Sequence, residues 1–192
     1  MCIRDSNNAA QLTTIHLEDQ QVLKKEWLLL LDHFKDKIQS DPNFTDKILI
    51  GEFTPYFQKL FHIIIEELTI ETQYACIFYH DYLTYKTKVE HTSHIHMDTN
   101  REAAVSIPIE TPDPLLFYNF DEKYLNNKRL HSIKKPNQIL NYEHNHPTLI
   151  NTRNLHNVFV LDESLPRVLL QIHCYESFNS IYQRNQNKLR VL

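Results

Sequence analysis

Histidine and aspartate side chains alternate with apolar ones in residues 94–98, and this segment has the clearest potential for chemistry in the chain. Successive side chains of a β-strand point to opposite faces, so His96 and Asp98 would share one face, one pleat apart. A neutral nitrogen and an anionic oxygen in that arrangement can bind a metal ion. Because the chain has 12 histidines, such a pair also arises by chance, and the interpretation needs a third ligand.

His156, at the start of an apolar strand-like segment, is the candidate for that third ligand. Two neighbouring antiparallel strands can bring it onto the same interior face as His96 and Asp98. Two histidines and one carboxylate fill one face of an octahedron and leave three coordination positions open. Molecular oxygen and a chelating co-substrate could bind at these positions.

Arg167 begins the next strand-like segment, 11 positions after His156. Its guanidinium offers a planar fork of N–H donors that matches a carboxylate. An arginine beside such a metal site suits a dicarboxylate that chelates the metal at one end and meets the guanidinium at the other.

Other histidines leave alternatives open. His94 shares the face of the pair in 96–98, and is a ligand in another register, a hydrogen-bond partner of a ligand or a bystander. His144 and His146 compete for the role of third ligand, but they lie in a loop-like segment with no arginine at a comparable distance. His173 alternates within the last strand-like segment and fits a core or pocket position.

The segments before residue 72 have helical patterns. Apolar side chains recur at helical spacing from about Leu17 to Gln39, which predicts an amphipathic helix. Thr54 followed by Pro55 predicts the N-cap and the first residue of a second helix. We expect residues 7–71 to form N-terminal helices that pack on a barrel.

After residue 72 the segments become short, β-branched and aromatic, with Pro, Asn and Asp between them, which is typical of strands. Helices followed by many strands argue against a doubly wound sheet and favour an antiparallel barrel or sandwich. We expect residues 72–192 to form a β-rich catalytic core within one domain. The predicted strands lie near Gln73–Tyr79, Leu83–Glu90, His94–Asp98, Ala103–Glu110, Leu115–Phe120, Gln138–Tyr142, Thr148–Asn151, Asn157–Leu161 and Val168–Tyr175.

Composition limits the classes of protein. A length of 192 residues with 42% hydrophobic residues fits one folded domain. The net charge of −4 argues against a dedicated nucleic-acid binder. The polar segment 121–136 contains five lysine and arginine residues and is either a solvated loop or a lid over a substrate. No run of about 18 apolar residues occurs, so no membrane span is expected.

The cysteines indicate a reducing environment. Cys76 and Cys174 lie in apolar segments without metal-type spacing, so we expect buried thiols and a cytoplasmic location. Residues 1–6 resemble the translation of a sequencing-adapter end, and we exclude them from the fold prediction.

The three ligand candidates and Arg167 together resemble the pattern of the Fe(II)/2-oxoglutarate-dependent dioxygenase superfamily. Residues 96–101, 105–109 and 151–158 are similar to small members from marine microbial and viral sequences, distantly related to aspartyl/asparaginyl hydroxylases. The resemblance covers about residues 72–176.

The resemblance implies a double-stranded β-helix, a cupin-like jelly roll, in which His96, Asp98 and His156 hold Fe(II). It implies that Arg167 binds 2-oxoglutarate as co-substrate and that O2 hydroxylates a substrate with release of succinate and CO2. Arg101 is implied to contact the co-substrate or an acidic substrate, with a surface arginine as the alternative.

Some features are less defined by the resemblance. Tyr79, Tyr118 and Asn151 are further candidates for contacts with 2-oxoglutarate. Many members carry a hydroxyl residue two positions after the arginine, where this chain has Leu169. The implied substrate is a peptide or protein side chain, or an amino-acid-like molecule, and nucleic acid is not expected. A viral gene would place the enzyme in the host cytoplasm, and the sequence does not indicate an oligomeric state.

Two other functions remain open at this point. A metal-binding cupin of isomerase or epimerase type would keep the fold and the histidines without needing Fe(II) and 2-oxoglutarate. A structural jelly roll of capsid or lectin type would carry the His-x-Asp segment by chance.

Overall fold

A computed structural model describes residues 8–40, 44–81, 95–110, 113–118, 135–159, 164 and 166–192. Its helices are α1 (Gln20–His33), α2 (Lys35–Ser40), α3 (Pro55–Leu68) and α4 (Phe178–Arg184), with a 3-10 turn at Ile50–Glu52. Its strands are β1 (Ala9–Leu12), β2 (Thr45–Leu49), β3 (Tyr74–His80), β4 (Ala103–Glu110), β5 (Leu115–Tyr118), β6 (Gln138–Leu140), β7 (Thr148–Ile150), β8 (Leu155–Val158), β9 (Arg167–Cys174) and β10 (Leu189–Val191).

Both predicted N-terminal helical segments are helical, but the first begins at Gln20 and is divided at Phe34 into α1 and α2, which corrects the prediction of one continuous helix. Asp19 caps α1 by accepting a hydrogen bond from the backbone N–H of Gln21 at 2.7 Å. Thr54 precedes α3 as predicted, but its hydroxyl is buried and makes no hydrogen bond within the described residues. The helix therefore begins without a side-chain cap, and Pro55, whose backbone angle φ is already helical, favours its first turn.

The strands form two antiparallel sheets, which confirms a mainly β fold with a few helices. The large sheet has the order β10-β1-β7-β4-β9-β3-β2, and the small sheet has the order β6-β5-β8. His96 adds a single bridge to His156 of β8 at the edge of the small sheet. Among the described strands the two sheets remain separate, and no closed barrel is found.

The segment 7–71 is not entirely helical, which corrects the sequence-based expectation. β1 and β2 of this segment join the large sheet, where β1 pairs with β7 and β10, and β2 pairs with β3. Their four or five residues carry too little alternation to be recognised without their partners.

The ends of the predicted strands agree with the structure in some places and not in others. β4 spans the predicted residues. In the predicted strand 94–98, His96 is the one residue among the described positions 95–98 that forms a bridge. Neither α4 nor β10 was predicted. The predicted strand at 83–90 lies outside the described residues, as does most of the polar segment 121–136.

Both faces of the large sheet are covered, so all eight residues of β9 are buried. One face packs against the helices in the main core, through side chains such as Val168, Leu170 and Ile172. The other face, which we name the inner face, packs Leu169 against Phe117 of the small sheet. Because side chains alternate along a strand, Arg167, Gln171 and His173 also point to the inner face.

The two cysteines of the β region are buried free thiols, as expected: Cys76 is 7% exposed and Cys174 is 1% exposed. None of the helices in the described part of the chain is both long and apolar enough to cross a membrane.

Candidate metal centre

His96 and His156 are placed opposite each other by the backbone. Each donates its N–H to the carbonyl of the other, and both hydrogen bonds are 2.9 Å long. Residues that exchange both bonds in an antiparallel pair point their side chains to the same side. The two imidazole rings accordingly lie 4.5 Å apart between centroids. His156 also lies opposite Phe117 of β5, so this side is the one that faces the large sheet.

Asp98 is positioned by the turn that precedes β8. Its backbone N–H donates to the carbonyl of Thr152 at 2.9 Å, and its own carbonyl accepts from Arg153 Nη1 at 2.9 Å. The side chain of Asn151 stabilises the same turn by accepting from the backbone N–H of Arg153 at 3.2 Å. These contacts fix Asp98 two residues beyond the His96–His156 bridge.

The ligand atoms of His96, Asp98 and His156 all lie within 4.8 Å of one another, and His96 Nε2 is 3.7 Å from Asp98 Oδ1. Metal–ligand bonds of about 2.1 Å place neighbouring ligands of an octahedral ion about 3 Å apart. Shifts of about 1 Å would therefore close the group around one ion. It is the only group of three such side chains found in the part of the chain that the structure describes, and it could bind a metal ion.

The competing histidines lie elsewhere. His144 Nδ1 is 3.3 Å from the side chain of Gln20, and His146 Nδ1 is 2.8 Å from the carbonyl of Ile15. Both therefore belong to the contact between the loop before β7 and the segment that leads into α1. His94 lies outside the described residues.

The chemical state of His156 suits a metal ligand. Its Nδ1 is 2.7 Å from the carbonyl oxygen of Asn154. A carbonyl can only accept, so Nδ1 carries the proton and Nε2 keeps its free electron pair. Burial lowers the pKa of His156 and so favours the neutral ring, which is the form that binds metals. The His96 side chain is 49% exposed, so the group is accessible from the His96 side.

Arg101 forms a buried ion pair with Asp98. Arg101 Nε donates to Asp98 Oδ2 at 2.6 Å, and the side chains are 8% and 14% exposed. The guanidinium carbon lies 5.4 Å from the centre of the Phe78 ring on β3. The arginine therefore reaches from the metal group to the inner face of the large sheet.

Arg167 lies on the inner face at the start of β9 and is 3% exposed. Its neighbour is Tyr142: burial raises the pKa of Tyr142, and the positive charge of Arg167 partly opposes this rise. The side chains of Arg167 and Ser106 are near the Tyr142 hydroxyl, but neither forms a hydrogen bond of ordinary geometry with it.

Unpaired polar atoms are concentrated between the two sheets. Buried polar atoms in proteins are normally hydrogen-bonded. Within the described residues seven buried side-chain atoms have no such partner, and six of them lie at the inner face or point toward it. These six are Arg101 Nη1, Tyr142 Oη, Thr148 Oγ1, Arg167 Nε, Gln171 Oε1 and His173 Nδ1. Four of these atoms belong to N–H or O–H donors, so the interior beside the metal group can donate hydrogen bonds to oxygens of a ligand, whereas Gln171 Oε1 can only accept.

The other predicted pocket residues do not reach this interior. Tyr79 stacks on Trp27 in the core between the large sheet and the helices, with ring centroids 6.0 Å apart. Tyr118 lies on the outer side of the small sheet, where its hydroxyl donates to Asn157 Oδ1 at 2.9 Å. Asn151 serves the turn that holds Asp98.

Tyr142, Thr148 and Gln171 were not identified from the sequence. Gln171 alternates with apolar residues on β9, and this polar inner face was a signal that could have been recognised. No comparable pattern marks Tyr142, which follows β6 outside any strand.

Comparison with known proteins gives no family assignment. No model of a known family matches the chain, and the curated proteins include no significant match.

Proposed function

We propose that this protein is an Fe(II)- and 2-oxoglutarate-dependent dioxygenase that hydroxylates a peptide or protein side chain, or an amino-acid-like molecule. The observation that carries the proposal is the convergence of His96, Asp98 and His156 beside an interior that contains the buried guanidinium of Arg167. A site with two histidines, one carboxylate and open positions is typical of non-haem iron oxygenases.

The order of the strands supports a double-stranded β-helix. Among the described strands, the chain passes from the large sheet (β3) to the His96 bridge at the edge of the small sheet, and then to the large sheet (β4) and the small sheet (β5). After β6 of the small sheet the alternation resumes with β7, β8 and β9. Two facing antiparallel sheets connected in this way are expected of a jelly roll.

The donor set fits iron. His96, Asp98 and His156 would hold the ion on one face, and the remaining positions would be open toward the interior. Fe(II), when bound, supplies the electron-transfer chemistry that activates O2. The hydrogen bond from His156 Nδ1 to Asn154 keeps the ligand nitrogen unprotonated before any ion arrives.

Arg167 would bind the distal carboxylate of 2-oxoglutarate. It is buried, and its Nε has no protein partner among the described residues, so a carboxylate would satisfy a donor that is otherwise unpaired. Many members of the superfamily have a hydroxyl residue two positions after this arginine, and Leu169, which lies at that position here, cannot supply the hydroxyl. The Tyr142 hydroxyl beside Arg167 is in a position to take over this role.

The different exposure of the two histidines indicates the side from which a substrate would enter. His156 is 6% exposed, whereas the side chain of His96 is half exposed. The substrate would therefore approach from the His96 side, and the covered inner face would keep water from the co-substrate.

Succinate release with Fe(II), 2-oxoglutarate and a panel of peptides and free amino acids tests the proposal. The wild-type protein should release succinate. The Arg167→Ala variant should bind 2-oxoglutarate about 10- to 100-fold more weakly than wild type, because a charge-assisted hydrogen bond is lost. Arg184→Ala, which removes an exposed arginine paired with Glu176, is the matched control. Metal binding without 2-oxoglutarate turnover would instead favour a cupin that is not an oxygenase.

A further inference from the structure

The two oxygens of Asp98 have different partners. Oδ2 accepts the 2.6 Å hydrogen bond from Arg101 Nε, whereas Oδ1 is the oxygen that faces His96 Nε2 at 3.7 Å. The ion pair is as close as the 2.7 Å contact between His156 Nδ1 and the Asn154 carbonyl oxygen. Its low exposure protects it from competition by water.

Arg101 is itself held firmly. Its guanidinium lies against the Phe78 ring, and its carbonyl accepts from the Thr152 hydroxyl at 3.3 Å. The carbonyl of the preceding residue, Asn100, accepts from His173 Nε2 at 3.0 Å. The arginine is thus anchored to β3 and β9 of the large sheet, and it connects Asp98 to that sheet.

We propose that Arg101 is a positioning residue that keeps Asp98 as a ligand through one oxygen only. A carboxylate that binds through both oxygens would take two of the six positions of an octahedral ion and, with two histidines, would leave only two open. A chelating co-substrate would fill both, and none would remain for O2. By occupying Oδ2, Arg101 preserves the third open position. This inference rests on the proposed function because it assumes the metal and the chelating co-substrate.

Cobalt(II) binding to the metal-free protein tests the inference without any turnover. The dissociation constant and the visible spectrum of the Co2+ complex are measured for wild type, Arg101→Gln and Arg101→Lys, with Arg184→Gln as a control for removal of an ion-paired arginine. Loss of a group that orients a metal ligand typically weakens binding about 10- to 100-fold. Arg101→Gln should show this loss together with a changed spectrum, because Asp98 is free to bind through both oxygens. The control should match wild type in both readouts.

An Arg101→Gln protein that unfolds cooperatively and gives the wild-type dissociation constant and spectrum overturns the inference. If that variant does not fold, Arg101→Lys decides the question. Lysine keeps the charge but lacks the planar N–H group, so a weaker complex with an altered spectrum is expected, and wild-type behaviour overturns the inference.

The same measurements separate this inference from the proposed function. Weaker Co2+ binding by Arg101→Gln in a protein that never converts 2-oxoglutarate would leave the positioning role intact and refute the oxygenase. Wild-type Co2+ binding by this variant in a protein that does convert 2-oxoglutarate would refute the positioning role alone. Failure of wild type to bind Co2+ would refute both.

Discussion

Removal of the Asp98 carboxylate should destabilise the metal-free protein, because it leaves the Arg101 guanidinium buried without its charge partner. Breaking a buried ion pair from one side costs about 3 to 5 kcal/mol. Asp98 retains 14% exposure, so we expect the lower end, about 3 kcal/mol for Asp98→Ala. For a chain of this size that corresponds to a fall in Tm of about 6 to 12 °C.

Thermal unfolding followed by circular dichroism, in the presence of a chelator, measures this change. Glu176→Ala is the matched control, because it removes the acid from the exposed Arg184 pair, in which the side chains are 37% and 35% exposed. That pair should be worth less than about 1 kcal/mol. The double variant Asp98→Ala with Arg101→Met should recover most of the lost stability, because no unpaired charge then remains.

Two results would refute this reasoning. One is an Asp98→Ala protein whose Tm equals that of wild type. The other is a double variant that is no more stable than Asp98→Ala, since the buried charge would then not be the cause of the loss.

Three further predictions follow from the buried groups. Tyr142→Phe should change the free energy of unfolding by less than about 0.5 kcal/mol, because the hydroxyl makes no hydrogen bond of ordinary geometry. The same variant should bind 2-oxoglutarate about tenfold more weakly. A large loss of stability in urea unfolding would contradict this prediction. Burial raises the pKa of Cys174 to about 12, so mass mapping should find it unmodified by iodoacetamide at pH 8.5 until the protein unfolds. Burial lowers the pKa of His144, His156 and His173. Near pH 6.5 the unfolded chain therefore takes up protons that the folded chain does not. The urea concentration at the unfolding midpoint of the metal-free protein should decrease when the pH is lowered from 7.5 to 5.5, and an increase would contradict these shifts.

The sequence was sufficient where a pattern is local. β4 was predicted with its observed ends, and α3 begins at the predicted Pro55. The closeness of His96 and Asp98 could also be inferred, because two residues of a strand separated by one other residue point the same way. In the structure only His96 forms the bridge, and Asp98 is held beside it by its hydrogen bond to Thr152. Their proximity to His156 agrees with the sequence prediction, whereas the identity of the metal stays a prediction.

Long-range pairing explains most of what was not predicted. β1 and β10 pair with each other from opposite parts of the chain, and neither has a strong pattern alone. Tyr118 was considered a pocket residue, but its pairing with Leu155 turns it to the outer side of the small sheet. A shift of one residue in register reverses the face of every side chain, and the sequence does not specify that register.

The most direct test of the central claim is the visible spectrum of the protein mixed anaerobically with Fe(II) and 2-oxoglutarate. Chelation of 2-oxoglutarate by an iron held through His96, Asp98 and His156 should give a weak charge-transfer band, which His156→Ala should lose while its folded circular dichroism spectrum is retained. Absence of the band in folded wild-type protein, or its persistence at full strength in His156→Ala, would contradict the proposed metal centre.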